Sequence, residues 1–388
     1  MTDITGDRET EPKRTPELDG IRGIAILQVL VWHFQSEVAS EPGTPLAYAI
    51  PFLSMTWTGV DLFFVLSGFL IGGLLIDAKG SRNYLRVFYV RRAFRILPLY
   101  LLILLLAALA NCLLAKSEWS ERIIPWPWYL SFSQNIWMSL QDWQRAWSIW
   151  FNQTWSLALE EQFYLALPLV IFVASRRILP HICIVLIFAA FLIRCLCYLT
   201  FTDERANVIS HVLLPCRMDS LAIGVLIAII FRNARLRAQI FSRLNVLYYL
   251  LVMLLVALGG FVTAGWGLAT IAMQTVGLSL IALLYGVFLL IAILEGQGPI
   301  SSFTRNAALR RLGLWAYCIY LIHIFVKTAI FDIYGPTVVG ASIALVFMFG
   351  IAHLSWRYFE RPLIMMGHRW NYSEIDFNSS SKAIAKDI

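Results

Sequence analysis

The chain is a succession of apolar blocks of about 20 residues separated by short polar stretches. That length lets a helix cross a hydrocarbon core about 30 Å thick, at about 1.5 Å per residue. Inside lipid a segment must satisfy its own backbone hydrogen bonds, which a helix does alone. Of 388 residues 59% are hydrophobic and 14% charged, more apolar side chain than a soluble globule of this size can hide. The pattern predicts an all-α polytopic membrane protein with ten transmembrane helices. They fall near 20–38, 56–77, 96–115, 155–174, 179–200, 213–231, 245–262, 268–294, 312–331 and 337–358. Residues 1–16 are polar, and the first block is long and lacks a small-residue cleavage site, so it reads as an uncleaved anchor.

Ten spans put both termini on one side. Of the 31 lysines and arginines, 24 lie in the loops and tails of that side and four (Lys116, Arg122, Arg145, Arg205) in the opposite loops. The positive-inside rule makes the first side cytoplasmic. The expected setting is multi-pass in a bacterial-type inner membrane, with membrane lipid as a partner. The net charge of +7 then reflects topology, and no nucleic-acid partner is expected. The expected organisation is a cytoplasmic tail (1–16), a transmembrane domain (17–367) and a polar, mobile cytoplasmic tail (368–388). The outer connection 116–154 is rich in tryptophan: Trp119, Trp126, Trp128, Trp137, Trp143, Trp147 and Trp150. Such residues suit an interfacial aromatic belt or a sugar-facing surface. Cys112, Cys183, Cys195, Cys197, Cys216 and Cys318 lie in or beside apolar blocks without metal-ligand spacing. They read as packing residues, and no metal is expected.

Ionisable side chains at membrane depth cost several kcal/mol unless paired or hydrated, so they mark candidate functional interiors. The stretch ELDGIRGIAILQVLVWHF carries Asp19, Arg22 and His33. Arg22 and His33 are separated by three helical turns plus about 20°, and so share a face about 16 Å apart along the axis. In WSLALEEQFYLALP, Ser156, Glu160 and Tyr164 form an i, i+4, i+8 stripe, with Glu161 rotated about 100° away. Tyr320, His323 and Lys327 share a face of GLWAYCIYLIHIFVK. Arg217 and Asp219, two apart in PCRMDSLAIG, cannot face each other and require partners on other helices. Asp61 enters the second span in GVDLFFVLSGFLIGG, where Gly68 and Gly72 suit close helix packing. Arg92 and Arg95 in FYVRRAFRILP, one turn apart, form a clamp suited to phosphate or carboxylate.

These segments, with the terminal YFERP, resemble in order and spacing the acyltransferase family 3 membrane proteins over about residues 15–365. Ala316-Tyr317 replaces the Ser-Tyr frequent in that family before the YLxH pattern. The resemblance implies an O-acyltransferase with about ten spans that moves an acyl group, often acetyl, from cytoplasmic acyl-CoA to a hydroxyl of a cell-envelope glycan or glycolipid. It implies that His33 is the catalytic histidine, Arg22 its partner at the cytoplasmic mouth, and Arg92 and Arg95 the donor contacts. Acyl-CoA would be a substrate, with no permanently bound cofactor.

The residue inventory fits that chemistry. An imidazole supplies a base near neutral pH, and clustered guanidiniums suit the donor phosphates. Glu160 or Glu161 would orient the imidazole or deprotonate the incoming hydroxyl. Asp19, Asp61, Ser156, Tyr164, Arg217, Asp219, Tyr320 and His323 are candidates for acceptor contact or for supporting these groups. Two other readings fit the same spans: a proton-coupled transporter or flippase, and acylation of a cytoplasmic small-molecule glycoside.

Overall fold

The computed structural model describes residues 15–35, 53–113, 125–141 and 151–373. Among them every regular element is helical. The long helices are α1 (Pro16–Gln35), α2 (Gly59–Ala78), α3 (Tyr84–Leu113), α4 (Trp155–Val173) and α5 (Leu179–Thr200). They continue as α6 (Leu214–Arg232), α7 (Leu244–Thr263), α8 (Leu278–Leu294), α9 (Ala307–Tyr334) and α10 (Val338–Ser355). Among the described residues, nine helical stretches are long and apolar enough to cross a membrane. The protein is an all-α polytopic membrane protein. α1 falls outside the nine because Asp19, Arg22, Gln28 and His33 dilute its apolar run.

Local chemistry sets the helix ends. Pro16 opens α1 and Glu17 and Asp19 occupy its first turn, where acids suit the helix dipole. The Asn306 side chain accepts from the Ala308 amide to start α9, which stops at Gly335 with φ of 72°. Thr337 then accepts from the Gly340 amide at 3.1 Å and starts α10.

Several spans are longer than the apolar blocks suggest. α3 begins at Tyr84 rather than near 96, because Arg86, Arg91, Arg92 and Arg95 ride on the helix itself. Arginine interrupts an apolar run but is a good helix former. After α10, a π-turn (Trp356–Glu360) and a short helix (Arg361–His368) carry the last span past 358. The sixth block is α6, and a further helix, Asp203–Val212, precedes it in the connection after α5.

Two close helix contacts organise the bundle. α1 packs along α9, where a Cβ on Gly23 would overlap the Leu309 carbonyl and one on Gly313 the Asp19 carbonyl. α2 packs along α6, where a Cβ on Gly68 would overlap the Leu221 carbonyl and one on Gly224 the Val65 carbonyl. The segment 125–141 is tied to α4 and to Thr154 just before it. Gln162 Nε2 donates to the Phe132 carbonyl (2.9 Å) and Asn135 Oδ1 (2.8 Å), and Gln134 Nε2 donates to the Thr154 carbonyl (2.9 Å). Trp119, Trp143, Trp147 and Trp150 lie outside the described residues.

Arg217 and Asp219 each find a partner on another helix. Arg217 meets Asp61 of α2 at 2.8 Å, and Asp219 meets Arg194 of α5 at 2.9 Å. Ser220 Oγ adds a bond to Asp61 at 3.1 Å, and the Arg217 guanidinium lies over the rings of Phe64 and Trp155. Removing one member of a buried pair strands the other, at a cost of about 3–5 kcal/mol. Arg217→Ala is therefore expected to lower the melting temperature in detergent sharply. The apolar double replacement Asp61→Leu/Arg217→Met is expected to stay near wild type. An unchanged melting temperature for Arg217→Ala would contradict the pairing.

Candidate functional site

A cavity of about 740 Å³ lies between α1, α2, α3, α4, α9 and the chain that follows α10. Cofactor and small-molecule sites fall in the range of about 300–1,000 Å³. Arg22, Arg91, Arg92, Arg95 and His368 line it, with Asn371 and Tyr372 beside Arg91. Ser156 and Tyr320 line it farther along α4 and α9, and Glu160 lies between. Along α4 the distance from Tyr164 to Ser156 is about 12 Å. Phe63, Leu66, Leu70, Ile71 and Leu74 of α2 supply an apolar wall.

The cationic part is sparsely neutralised. Asp19 holds Arg22 at 2.6 Å. The Arg92 guanidinium lies 4.2 Å above the Tyr164 ring, and its buried Nε has no hydrogen-bond partner among the described residues. The fixed anions in the wall are Glu160 and Glu360. The Tyr164 hydroxyl donates to Glu160 Oε2 at 3.1 Å and pairs closely with Ser67. Glu360, carried inward by the π-turn, accepts from Ser355 Oγ at 2.9 Å.

Beyond Tyr320 lies a second cluster. Tyr320 bonds Ser156 Oγ at 2.6 Å and also the Gln153 carbonyl. The His323 ring is 5.9 Å from Tyr320 on one side and 4.8 Å from His33 on the other. His323 Nδ1 donates to the Tyr320 carbonyl at 2.7 Å, so in the neutral ring Nε2 is an acceptor, and no partner reaches it among the described residues. Lys327 Nζ donates to the His33 carbonyl at 3.2 Å.

The sequence-derived candidates therefore separate. Arg22, Arg92, Arg95, Ser156, Glu160, Tyr164 and Tyr320 line the cavity, and the α4 stripe faces it as its spacing implies. Arg22 and His33 both turn toward α9, but only Arg22 is in the cavity wall. His33 and His323 lie past Tyr320. Glu161 points elsewhere, with Oε1 buried and unpartnered among the described residues. Asp61, Arg217 and Asp219 belong to the separate ion-pair network. Ser67, Tyr317, Arg91 and Tyr372 are cavity residues with no distinguishing signal in the sequence, and Glu360 is a fifth that was passed over. For Glu360 there was a signal, the acid next to a proline-capped basic turn in YFERP.

A family model described as an acyltransferase domain matches residues 15–357. A Staphylococcus aureus (strain COL) protein named provisionally as an O-acetyltransferase is 26% identical over 370 residues, which cover 89% of this chain and 57% of that protein. The O-acetyltransferase OatA of Staphylococcus aureus (strain NCTC 8325 / PS 47) is 29% identical over 252 residues, 61% of this chain and 38% of that protein. The match thus spans between 38% and 57% of the length of these curated relatives. No solved structure is a significant match.

Proposed function

The chain belongs to the acyltransferase family, and from that premise we propose that it is a membrane O-acyltransferase moving an acyl group, acetyl by preference, from cytoplasmic acyl-CoA to a hydroxyl of an envelope glycan or glycolipid. The supporting observation is the cavity's polarity. One part carries four arginines with few counter-ions, and the other carries hydroxyls and a carboxylate beside two histidines. Phosphates of a donor suit the first part, and a thioester carbonyl suits the second.

In this mechanism Arg92 and Arg95, with Arg22, hold the donor phosphates, and the acyl arm runs along the apolar α2 wall toward Ser156 and Tyr320. The acceptor hydroxyl approaches from the His33 side. His33 takes the hydroxyl proton as the oxygen attacks the thioester carbon. The new C–O bond forms, the C–S bond breaks, and the imidazolium returns its proton to the departing CoA thiolate. His323, with its tautomer set by the Tyr320 carbonyl, offers Nε2 to orient the His33 ring. In this reading the arginine-lined mouth faces the cytoplasm, which the cation count supports.

Purified protein given labelled acetyl-CoA and an envelope glycolipid extract is expected to release CoA and to form a hydroxylamine-labile ester on the lipid. Acyl-CoA-independent solute transport in vesicles, with no ester formed, would overturn the reading. Glu160→Gln is expected to lower kcat about 10²-fold, the lower range for a positioned acid–base group. Glu161→Gln, outside the cavity wall, is expected to stay near wild type. The reverse order would assign the carboxylate role to Glu161.

A further inference from the structure

The polar stretch after the last helix is expected from sequence to be mobile. Its first residues instead fold back as a strap beside the arginine end of the cavity. Asn83 clamps it from both sides: Nδ2 donates to the Asn371 carbonyl and Oδ1 accepts from the Ser373 amide, each at 2.9 Å. The Arg82 amide donates to the Ser373 carbonyl at 3.2 Å. Arg91 donates through Nε to the Trp370 carbonyl at 2.8 Å and through Nη2 to Asn371 Oδ1 at 3.1 Å. Arg86 lies 4.8 Å from the Trp370 ring centre, and Arg91 lies 5.2 Å from that of Tyr372.

These contacts hold Asn371 and Tyr372 in the cavity wall. The Tyr372 hydroxyl is buried there without a hydrogen-bond partner among the described residues, as is Arg92 Nε in the same wall. A buried hydroxyl left unmet costs free energy, so such a group in a cavity wall points to a ligand that meets it. Burial raises the Tyr372 phenol above its ordinary value even with Arg91 close by, so at neutral pH it is a donor. A neutral donor beside the Arg91 guanidinium, in a cavity also lined by Arg22, Arg92 and Arg95, fits an anionic oxygen.

We infer that Tyr372 is a donor-binding residue, its hydroxyl donating to a phosphate oxygen of the acyl-CoA nucleotide, and that the strap 369–373 is a built part of the donor site. The inference rests on the acyl-CoA reading above. Arg91 has a positioning role, since it holds the strap through Trp370 and Asn371 while its charge remains beside the same phosphate. Asn83 acts only through the strap, because it is not among the cavity residues.

The test measures CoA affinity of the purified full chain by calorimetry, and the kcat and KM split with acetyl-CoA. Tyr372→Phe keeps the ring over Arg91 and removes one oxygen. CoA affinity is expected to fall about tenfold, within the range for a lost bond to a charged group, with the rise carried by donor KM and the melting temperature unchanged. Asn83→Ala, which frees the strap, is expected to raise donor KM in the same direction. Wild-type CoA affinity in Tyr372→Phe, with Arg95→Ala weakened in parallel, would overturn this inference and leave the donor reading standing. A loss matched by a fall in melting temperature would also overturn it, by making Tyr372 a structural residue. No CoA binding by the wild-type chain would overturn both.

Discussion

His33→Ala is expected to reduce acyl transfer from acetyl-CoA by about 10²–10⁴-fold, the contribution of a positioned general base. The expectation rests on where the ring sits. Tight packing of α1 on α9, which Gly23 and Gly313 permit, brings His33 within 4.8 Å of His323, just beyond the Ser156–Tyr320 pair. Lys327 fixes the backbone at that point through the His33 carbonyl. The loss should appear in kcat, with CoA affinity unchanged, because His33 lies outside the cavity wall that would hold the donor. His323→Ala should fall less, since it removes an orienting group and leaves the base. Purified variants with wild-type melting profiles and a turnover assay check both. Near-wild-type turnover by His33→Ala would take the histidine out of the chemistry.

Arg95→Ala is expected to weaken acetyl-CoA binding about 10–100-fold, the value of one or two charge-assisted hydrogen bonds to phosphate. Arg95 lines the cavity and makes no hydrogen bond or close ion pair among the described residues, Glu360 and Glu160 acting on it only at longer range. Its hydrogen-bond donors are therefore open to a bound anion. Arg95→Lys should recover only part of the loss, because an ammonium cannot present the planar fork. The effect should lie in donor KM, with kcat at saturating donor much less changed. A drop in kcat with unchanged KM would move Arg95 from donor binding to catalysis.

Segment length and helical period made the membrane class and most span positions readable from sequence. The α4 stripe was readable for the same reason, since i, i+4 spacing forces Ser156, Glu160 and Tyr164 onto one face. The two-residue spacing of Arg217 and Asp219 told that each had to pair elsewhere, but Asp61 and Arg194 as their partners depend on how distant helices cross. The same limit hid the meeting of His33 with His323, which join α1 to α9. The start of α3 was misplaced because its arginines break the apolar run without breaking the helix. The end of the cavity at Tyr320 follows from side-chain packing that no period encodes. The strap at 369–373 has the composition of a loose tail, and its partners in 82–91, Asn83 and Arg91 foremost, distinguish it.

We propose that an acyl donor enters through the arginine-lined mouth and is turned over at the far end of the cavity. Reconstitution into sealed liposomes, sorted for protein orientation by protease access to an added terminal tag, isolates that claim. Acetyl-CoA is supplied to one face at a time, acceptor glycolipid is present in the bilayer, and CoA release is measured. Release is expected only when acetyl-CoA is presented to the face carrying Arg91 and Tyr372, and is expected to be lost in His33→Ala. Release only from the opposite face, or none from either face while the folded protein is intact, would contradict it.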